Sequence, residues 1–469
     1  MKLLYIANIR VPTEKAHGLQ IMQNCEAFAD AGAAVELWAA RRWDTSPMRL
    51  VRDPWAHYGV KRNFVLRRLP CLDLIPLVPE RDDLPARLVF LLQLWTFTLA
   101  ALIRAAFTRA DVYYSRDEFA LLALSLIKPR RALAYEAHTL RGGRLQRWVA
   151  GRVGHVFATT GKLAESLSPH PPAPSLSGRG GDFGEPIAAS ELKESGKQCE
   201  SDPPLPQGEG LGVRADSPSP LGRGGRGVRA DSPSPRLLAN LFARRGGRGV
   251  RGISVHVAHD GIRRERFAGV LDQRAARAAL GWDERAFIVG YVGRLHTMMM
   301  DKGVGTLVEA LAQIGGVSIA LVGGPDDMAA ALREDWIARG QEAGRFLYAG
   351  QVKPDQVPLY LSAFDVCAMP FPWTEHFAYY ASPIKLFEYM AARRAIVATD
   401  LPSTAEVVTD GESALLVPPS DPAALAGAIR RLRDDPTLRE RLAAAAYTLV
   451  MERYTWEARA RAILDVLGG

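Results

Sequence analysis

The stretch from Ala381 to Arg394, "ASPIKLFEYMAARR", sets a lysine and a glutamate three residues apart behind a Ser-Pro pair. Ser382 is a favoured N-cap residue and Pro383 suits the first helical position, which predicts a helix whose unpaired N–H groups face forward and welcome an anion. At i,i+3 spacing Lys385 and Glu388 share a face. A phosphate would meet the N–H groups and the lysine, while the carboxylate suits a pair of sugar hydroxyls. The same residues also fit an ordinary amphipathic helix with Ile384, Leu386, Phe387 and Met390 packed inward. Upstream, "GYVGRLHTMMMDKGVGTLVEAL" puts Arg294 just behind a strand and Lys302 at the start of the next helix. Both cations can therefore converge with Lys385 and the helix mouth at Ser382, and a diphosphate is the natural occupant of such a cluster.

Residues that act together this way need a sheet edge to hold them. Over the first 160 residues, "KLLYIAN", "AVELWAA", "DVYYSR", "ALAYEAH" and "HVFATT" alternate with helical sequence, the rhythm of βαβ units on a parallel sheet. The rhythm returns after residue 253 in "SVHVAHD", "FIVGYVGRL", "VSIALVGG", "FLYAG", "DVCAMPF", "AIVATD" and "ALLVP". The expected fold class is α/β with two Rossmann-like domains, residues 1–167 and 253–469, facing a cleft with ligand at the carboxyl ends of the strands. The final helical stretch, Pro436 to Leu467, has no strand left to feed and is free to pack back across the junction.

Residues 168–252 read differently. Their 16 Gly and 12 Pro in 85 residues leave too little apolar surface to offset ordering, which predicts a disordered insertion. "VRADSPSP" and "RGGRGVR" each occur twice there, as a duplicated segment would. Its 12 Lys/Arg face 9 Asp/Glu and just two aromatics, Phe183 and Phe242, so nucleic acid is not an expected partner.

The chain of 469 residues carries four scattered cysteines and no C-x-x-C pair, which fits a reducing, cytoplasmic setting and neither a disulfide framework nor a structural zinc. "KLLYIANI" is too short for a cleavable leader. The formal charge of +8 is uneven: Arg41 to Arg68 and Lys128 to Arg152 together hold fifteen Lys/Arg against three acidic residues, which suits an anionic partner, a membrane surface or a phosphorylated substrate. Between them "LVFLLQLWTFTLAALI", Leu88 to Ile103, is shorter than a bilayer span and reads as a buried or interfacial helix.

From these pieces the chain resembles the retaining glycosyltransferases of family 4, which have the GT-B fold. The resemblance rests on Gly293-Arg294, Lys302-Gly303, "SPIKLFEYMA", "AIVATDLPSTAEVV" and "DGESALLVPPSDPAALAGAI", in order over roughly Ser254 to Leu467, and more loosely on "HGLQIMQNCEAFADAGAAVELW", "YYSRDEF" and "YEAH". It implies a nucleotide diphosphate sugar as donor, a hydroxyl of a glycan or lipid-linked molecule as acceptor, and retention of anomeric configuration. Arg294 and Lys302 would stabilise the departing diphosphate, with Ser382, Lys385, Glu388 and Glu406 on the donor side. Family members commonly carry a further glutamate eight positions before Glu388, where this chain has Tyr380.

In the first half, His17-Gly18 ends the loop after the first strand, where glycine lets backbone approach the donor phosphates or simply makes a turn. His138 in "YEAH" stands at the carboxyl end of a strand. By the resemblance it lies near the reacting sugar and orients a hydroxyl; a lone histidine is also commonly structural. Arg116 in "YSRD" is similarly placed. The chain has neither D-x-D nor H-E-x-x-H, so no metal or cofactor is expected. Two other functions fit the same fold, a catalytically impaired nucleotide-binding or scaffold protein and a nucleotide-sugar epimerase.

Overall fold

The computed structural model describes residues 1–13, 15–45, 48–78, 84–138, 143–168, 253–269, 271–297 and 300–468. The first lobe is a seven-stranded, all-parallel sheet in the order β3-β2-β1-β4-β5-β6-β7, with β1 Lys2–Ala7, β2 Ala34–Arg41, β3 Val65–Pro70, β4 Val112–Ser115, β5 Leu133–Ala137, β6 His155–Ala158 and β7 Ser254–Val257. Most of its strands are buried on both faces, which explains their continuous apolar runs. Helices α1 Ala16–Asp30 and α2 Pro54–Tyr58 cover one face. Helices α3 Leu84–Ala106, α4 Glu118–Leu124, α5 Arg144–Ala150 and α6 Gly161–Leu167 cover the other.

The second lobe holds a six-stranded parallel sheet in the order β12-β11-β8-β13-β14-β15. Its strands are β8 Phe287–Val292, β11 Val317–Val322, β12 Phe346–Gly350, β13 Val366–Met369, β14 Ala395–Thr399 and β15 Leu415–Val417, and a short antiparallel pair, β9 His296–Thr297 and β10 Met300–Asp301, follows β8. Around the sheet run α7 Gln273–Leu280, α8 Val304–Ala312, α9 Asp326–Ala338, α10 Val357–Ala363, α11 Ile384–Ala391, α12 Pro402–Ala405, α13 Pro422–Asp434 and α14 Pro436–Arg453. The order in which strands are added reverses beside β1 in the first sheet and beside β8 in the second, and crevices at such switch points are where open α/β sheets bind ligands.

Two features depart from the sequence reading. "SVHV" does not open the second lobe: β7 pairs with β6 and completes the first sheet, which moves the start of the second lobe beyond residue 253. The insertion expected at 168–252 joins α6 to β7 and, apart from Ser168, lies outside the described residues. The last helical stretch is also two helices. Ile262 bonds Tyr454 O and Trp456 N, and this bridge interrupts the helix at Tyr454-Thr455. The final helix, α15 Trp456–Gly468, then lies on α1, with Trp456, Ala460 and Ile463 in the first lobe's core.

Candidate functional site

At the second switch point, β8 runs out at Val292 and the chain turns at Gly293, whose φ of +126° suits glycine alone. A Cβ there would also run into Lys385 Nζ, so the glycine lets the lysine of α11 reach over the strand end. Lys385 Nζ donates to Val292 O at 2.6 Å and to Tyr291 Oη at 3.1 Å, and sits 4.4 Å from the centre of the Tyr291 ring. Tyr291 Oη in turn donates to Arg294 O at 2.7 Å, which fixes the loop carrying Arg294. Lys302 closes the same loop through its backbone, donating to Leu295 O at 3.1 Å, and its Nζ lies 5.8 Å from the Phe371 ring centre.

The three expected cations therefore meet. Burial first, and Lys302 second, hold the Lys385 ammonium well below the usual lysine range; burial, and then Arg294, push Lys302 down too. Among the described residues none of the three forms a salt bridge, so the cluster is short of negative charge. A bound dianion would relieve this repulsion and raise both lysine pKa values, so binding takes up protons and affinity falls as pH rises through the lysines' depressed range. Calorimetry of nucleoside diphosphate binding at alkaline pH, in buffers of differing ionisation enthalpy, is expected to register net proton uptake. Buffer-independent heats would refute the coupling.

The helix mouth differs from expectation. Pro383, with ψ of 59°, takes the cap position and α11 begins at Ile384. Ser382 does not cap the helix with its side chain; its carbonyl accepts from Ile384 N at 2.9 Å, and Pro383 O accepts from Leu386 N at 2.8 Å. Part of the anion-binding N–H set is thus already bonded, because the chain enters α11 tightly from a single π-helical turn, His376–Tyr380. The Ser382 hydroxyl is instead buried with no hydrogen-bond partner. One turn deeper, Glu388 Oε1 accepts from Arg266 Nη1 at 3.2 Å, and burial raises its pKa against the pull of Arg266 and Lys385.

Glu406 stands apart from the cations. Its Oε2 accepts the Gly161 N–H at 2.8 Å, at the start of α6 in the first lobe, and lies 3.7 Å from His259 Nε2. Beside it Thr160 Oγ1 donates to Tyr379 O at 2.6 Å, and Tyr380 packs its ring on the first lobe's core while its hydroxyl donates to Glu375 Oε1 at 3.3 Å. This side of the junction is a latch between lobes. Gly18 also has a packing role. It lies inside the first turn of α1, its N–H donates to Lys15 O, and a Cβ would collide with Thr13 and the Tyr58 hydroxyl. The helix begins at Ala16, three residues sooner than the sequence suggests, which commits that N–H and closes it to a phosphate.

His138 lies at the carboxyl end of β5, with Nε2 2.9 Å from Glu136 Oε1. Glu136, unremarked in the sequence, is the hub of the first lobe's crevice. It accepts from Arg116 Nη2 at 2.8 Å, Arg459 Nη2 at 2.7 Å, Tyr5 Oη at 3.0 Å and Asn24 Nδ2 at 3.3 Å. Burial would raise its pKa, but Arg116 and Arg459 outweigh burial and hold the carboxyl well below the usual range. Arg459 is delivered by α15, so the C-terminal helix completes the crevice. Asp260 is close by, and ligand atoms of Glu136, His138 and Asp260 lie within 4.8 Å of one another, a set that could hold a metal ion by distance. Its chemistry fits a metal poorly, since two guanidiniums already occupy Glu136. The signal available in sequence was a carboxylate inside the buried run "LAYEA", which demands partners.

Comparison with known proteins bears on both lobes. Residues 286–435 match the family model described as glycosyl transferases group 1. Alpha-D-kanosaminyltransferase of Streptomyces kanamyceticus is 31% identical over 193 residues, covering 40% of this chain and 47% of the relative. D-inositol 3-phosphate glycosyltransferase of Streptomyces avermitilis is 29% identical over 220 residues, covering 45% and 46%. The chain thus spans about half the length of the curated relatives it matches. Sucrose-phosphate synthase from Thermosynechococcus elongatus superposes over 99% of this chain and 98% of its own, with a TM-score of 0.61 at 17% identity. Anabaena Alr3699/HepE, solved in complex with UDP-glucose, covers 100% and 99% with a TM-score of 0.57 at 16% identity. The two-lobed α/β fold of this chain is the GT-B fold of these neighbours.

Proposed function

We propose, from the match of residues 286–435 to the family model of glycosyl transferases group 1, that this chain moves a sugar from a nucleotide diphosphate sugar to a hydroxyl of a glycan or lipid-linked acceptor, with retention of configuration and without a metal. The observation that carries the reading is the cluster of Arg294, Lys302 and Lys385 at the switch point of the second sheet, an exposed arginine and two half-buried lysines in which Arg294 repels Lys302, Lys302 repels Lys385, and none forms a salt bridge among the described residues. Charge develops on the leaving diphosphate as the glycosidic bond breaks, so cations already fixed there stabilise the transition state more than the ground state. Arg294 and Lys302 take this role. Lys385 adds charge while tying α11 to the end of β8, and the free Ser382 hydroxyl offers one more hydrogen bond. Glu388 keeps an oxygen for the ribose hydroxyls. The known complex of HepE with UDP-glucose supports a nucleotide-sugar donor.

Across the cleft His138, oriented by Glu136, is assigned to the reacting sugar or the incoming hydroxyl, as a positioning group. The pairing of Glu136 with Arg116 and Arg459 supports a reaction in which the protein's cations do the work of a metal. No cofactor enters this scheme, and a nucleotide donor suits a cytoplasmic setting. The test is a panel of nucleotide diphosphate sugars incubated with the protein, with and without EDTA, reading nucleoside diphosphate release and the anomeric proton of the product. Release that persists in EDTA and product of the donor's configuration are expected. Absence of nucleotide binding to the folded protein would refute the reading.

A further inference from the structure

We infer that the outer face of α3 docks on an anionic lipid bilayer, lying in the plane of the interface. Along α3, Leu84, Leu88, Leu92, Trp95, Leu99 and Ile103 recur at spacings of three and four and are each between 39% and 68% exposed. Such spacing makes one continuous stripe, about 28 Å long at 1.5 Å per residue. Phe107 extends it beyond the helix, and Leu72, Leu74 and Leu77 are exposed in the approach from β3, where Leu72 N donates to Thr96 Oγ1 midway along α3. A patch this large and continuous on the surface marks a partner rather than the normal scatter of surface apolar groups.

α3 is the one described helix long and apolar enough to cross a membrane, yet its inner face is committed to the lobe. Leu94, Phe97, Ala101 and Ala105 are buried on the sheet, and Gln93 exchanges hydrogen bonds of 2.7 and 3.2 Å with Asn8. A helix held on one side and apolar on the other lies on a membrane rather than through it. Charge selects the partner. α3 contains no carboxylate, and the exposed charges of residues 84–138 are Arg87, Arg109 and Arg131 against Asp111 alone. On α5, which packs on α4 of the same sheet face, Arg144 and Arg147 are exposed as well. An apolar stripe on a helix without carboxylates, on a sheet face whose exposed charges are mainly basic, complements anionic headgroups over an acyl layer. A second copy of the chain would bring the same arginines against one another around a two-fold axis. This surface goes beyond the donor site and stands whether or not that site transfers a sugar.

The test uses the full chain with phosphatidylcholine vesicles, with and without phosphatidylglycerol, in a sedimentation assay at low and high salt. Wild type is expected to sediment with the anionic vesicles and to release partly as salt screens the arginines. The double variant Leu92→Asp/Leu99→Asp should bind at least about tenfold more weakly, with an unchanged thermal melt. Ile337→Asp, at an exposed apolar position of α9 in the other lobe, should bind as wild type does. Equal binding by the double variant, or no sedimentation of wild type with anionic vesicles at low salt, overturns the proposal. So does a wild-type dimer that the double variant converts to monomer without any vesicle binding, which would assign the stripe to self-association.

Discussion

Arg294→Ala and Lys302→Ala are each expected to weaken nucleoside diphosphate binding by about 10- to 150-fold, the equivalent of roughly 1.5–3 kcal/mol for a hydrogen bond to a charged group. Turnover should fall at least as far, since charge on the leaving oxygen is greatest in the transition state. Stability should not fall with it. Lys302 depresses Lys385, and Arg294 depresses Lys302, so each cation strains the ligand-free protein and its removal relieves repulsion. Lys385→Ala is the contrast. Its Nζ satisfies Val292 O and Tyr291 Oη, so its loss should lower both affinity and the melting temperature. Calorimetry with UDP and a thermal melt of each ligand-free variant separate these outcomes. Unchanged affinity in both Arg294→Ala and Lys302→Ala would remove the donor site from this end of the sheet.

The contrast between Lys302 and Lys385 shows what sequence could and could not convey. Strands such as "VSIALVGG" and "AIVATD" were legible because a parallel sheet buried on both faces demands an unbroken apolar run. The meeting of Arg294, Lys302 and Lys385 was legible too, since each follows a strand or opens a helix and so must stand at the carboxyl edge. β3 was not: "VLRRLP" places two arginines in an edge strand whose side chains are largely exposed, and the apolar signal disappears. β7 was misassigned because pairing partners are set by space, and the strand follows in sequence a stretch with no such pattern. The cap at Ser382 failed for a local reason. Capping preference assumes a free entry to the helix, whereas the chain follows the π-helical turn ending at Tyr380 and enters with Pro383, not Ser382, at the cap position. Tyr380 itself, standing where the resemblance leads one to expect a glutamate, proves to be a packing residue of the opposite lobe.

The crevice of the first lobe was the least legible part, because Glu136 and Arg459 are 323 residues apart and neither means much alone. Their pairing leads to the second large effect: Glu136→Ala is expected to destabilise the protein by about 3–5 kcal/mol, the usual cost of removing one partner of a buried ion pair. The carboxylate is fully buried, and without it the guanidiniums of Arg116 and Arg459 face each other with no counter-charge. Because α15 supplies Arg459, the loss should appear first as faster amide exchange in residues 456–468, before the second lobe loosens. Acid should act on wild type through the same group. The Glu136 pKa is depressed in the folded state, so its contribution is complete above the unfolded glutamate's pKa and drains away as pH falls below it toward the folded value. Glu136→Gln lacks that ionisation. Its deficit relative to wild type in urea unfolding should therefore be large at neutral pH and shrink in acid. The same variant leaves His138 with an amide where it had a carboxylate at 2.9 Å, so turnover should fall more than nucleotide affinity, which is set in the other lobe. If Glu136→Ala costs less than about 1 kcal/mol, or if α15 exchanges no faster than in wild type, the C-terminal helix is held by its apolar face on α1 alone and the buried ion cluster serves the cleft rather than the fold.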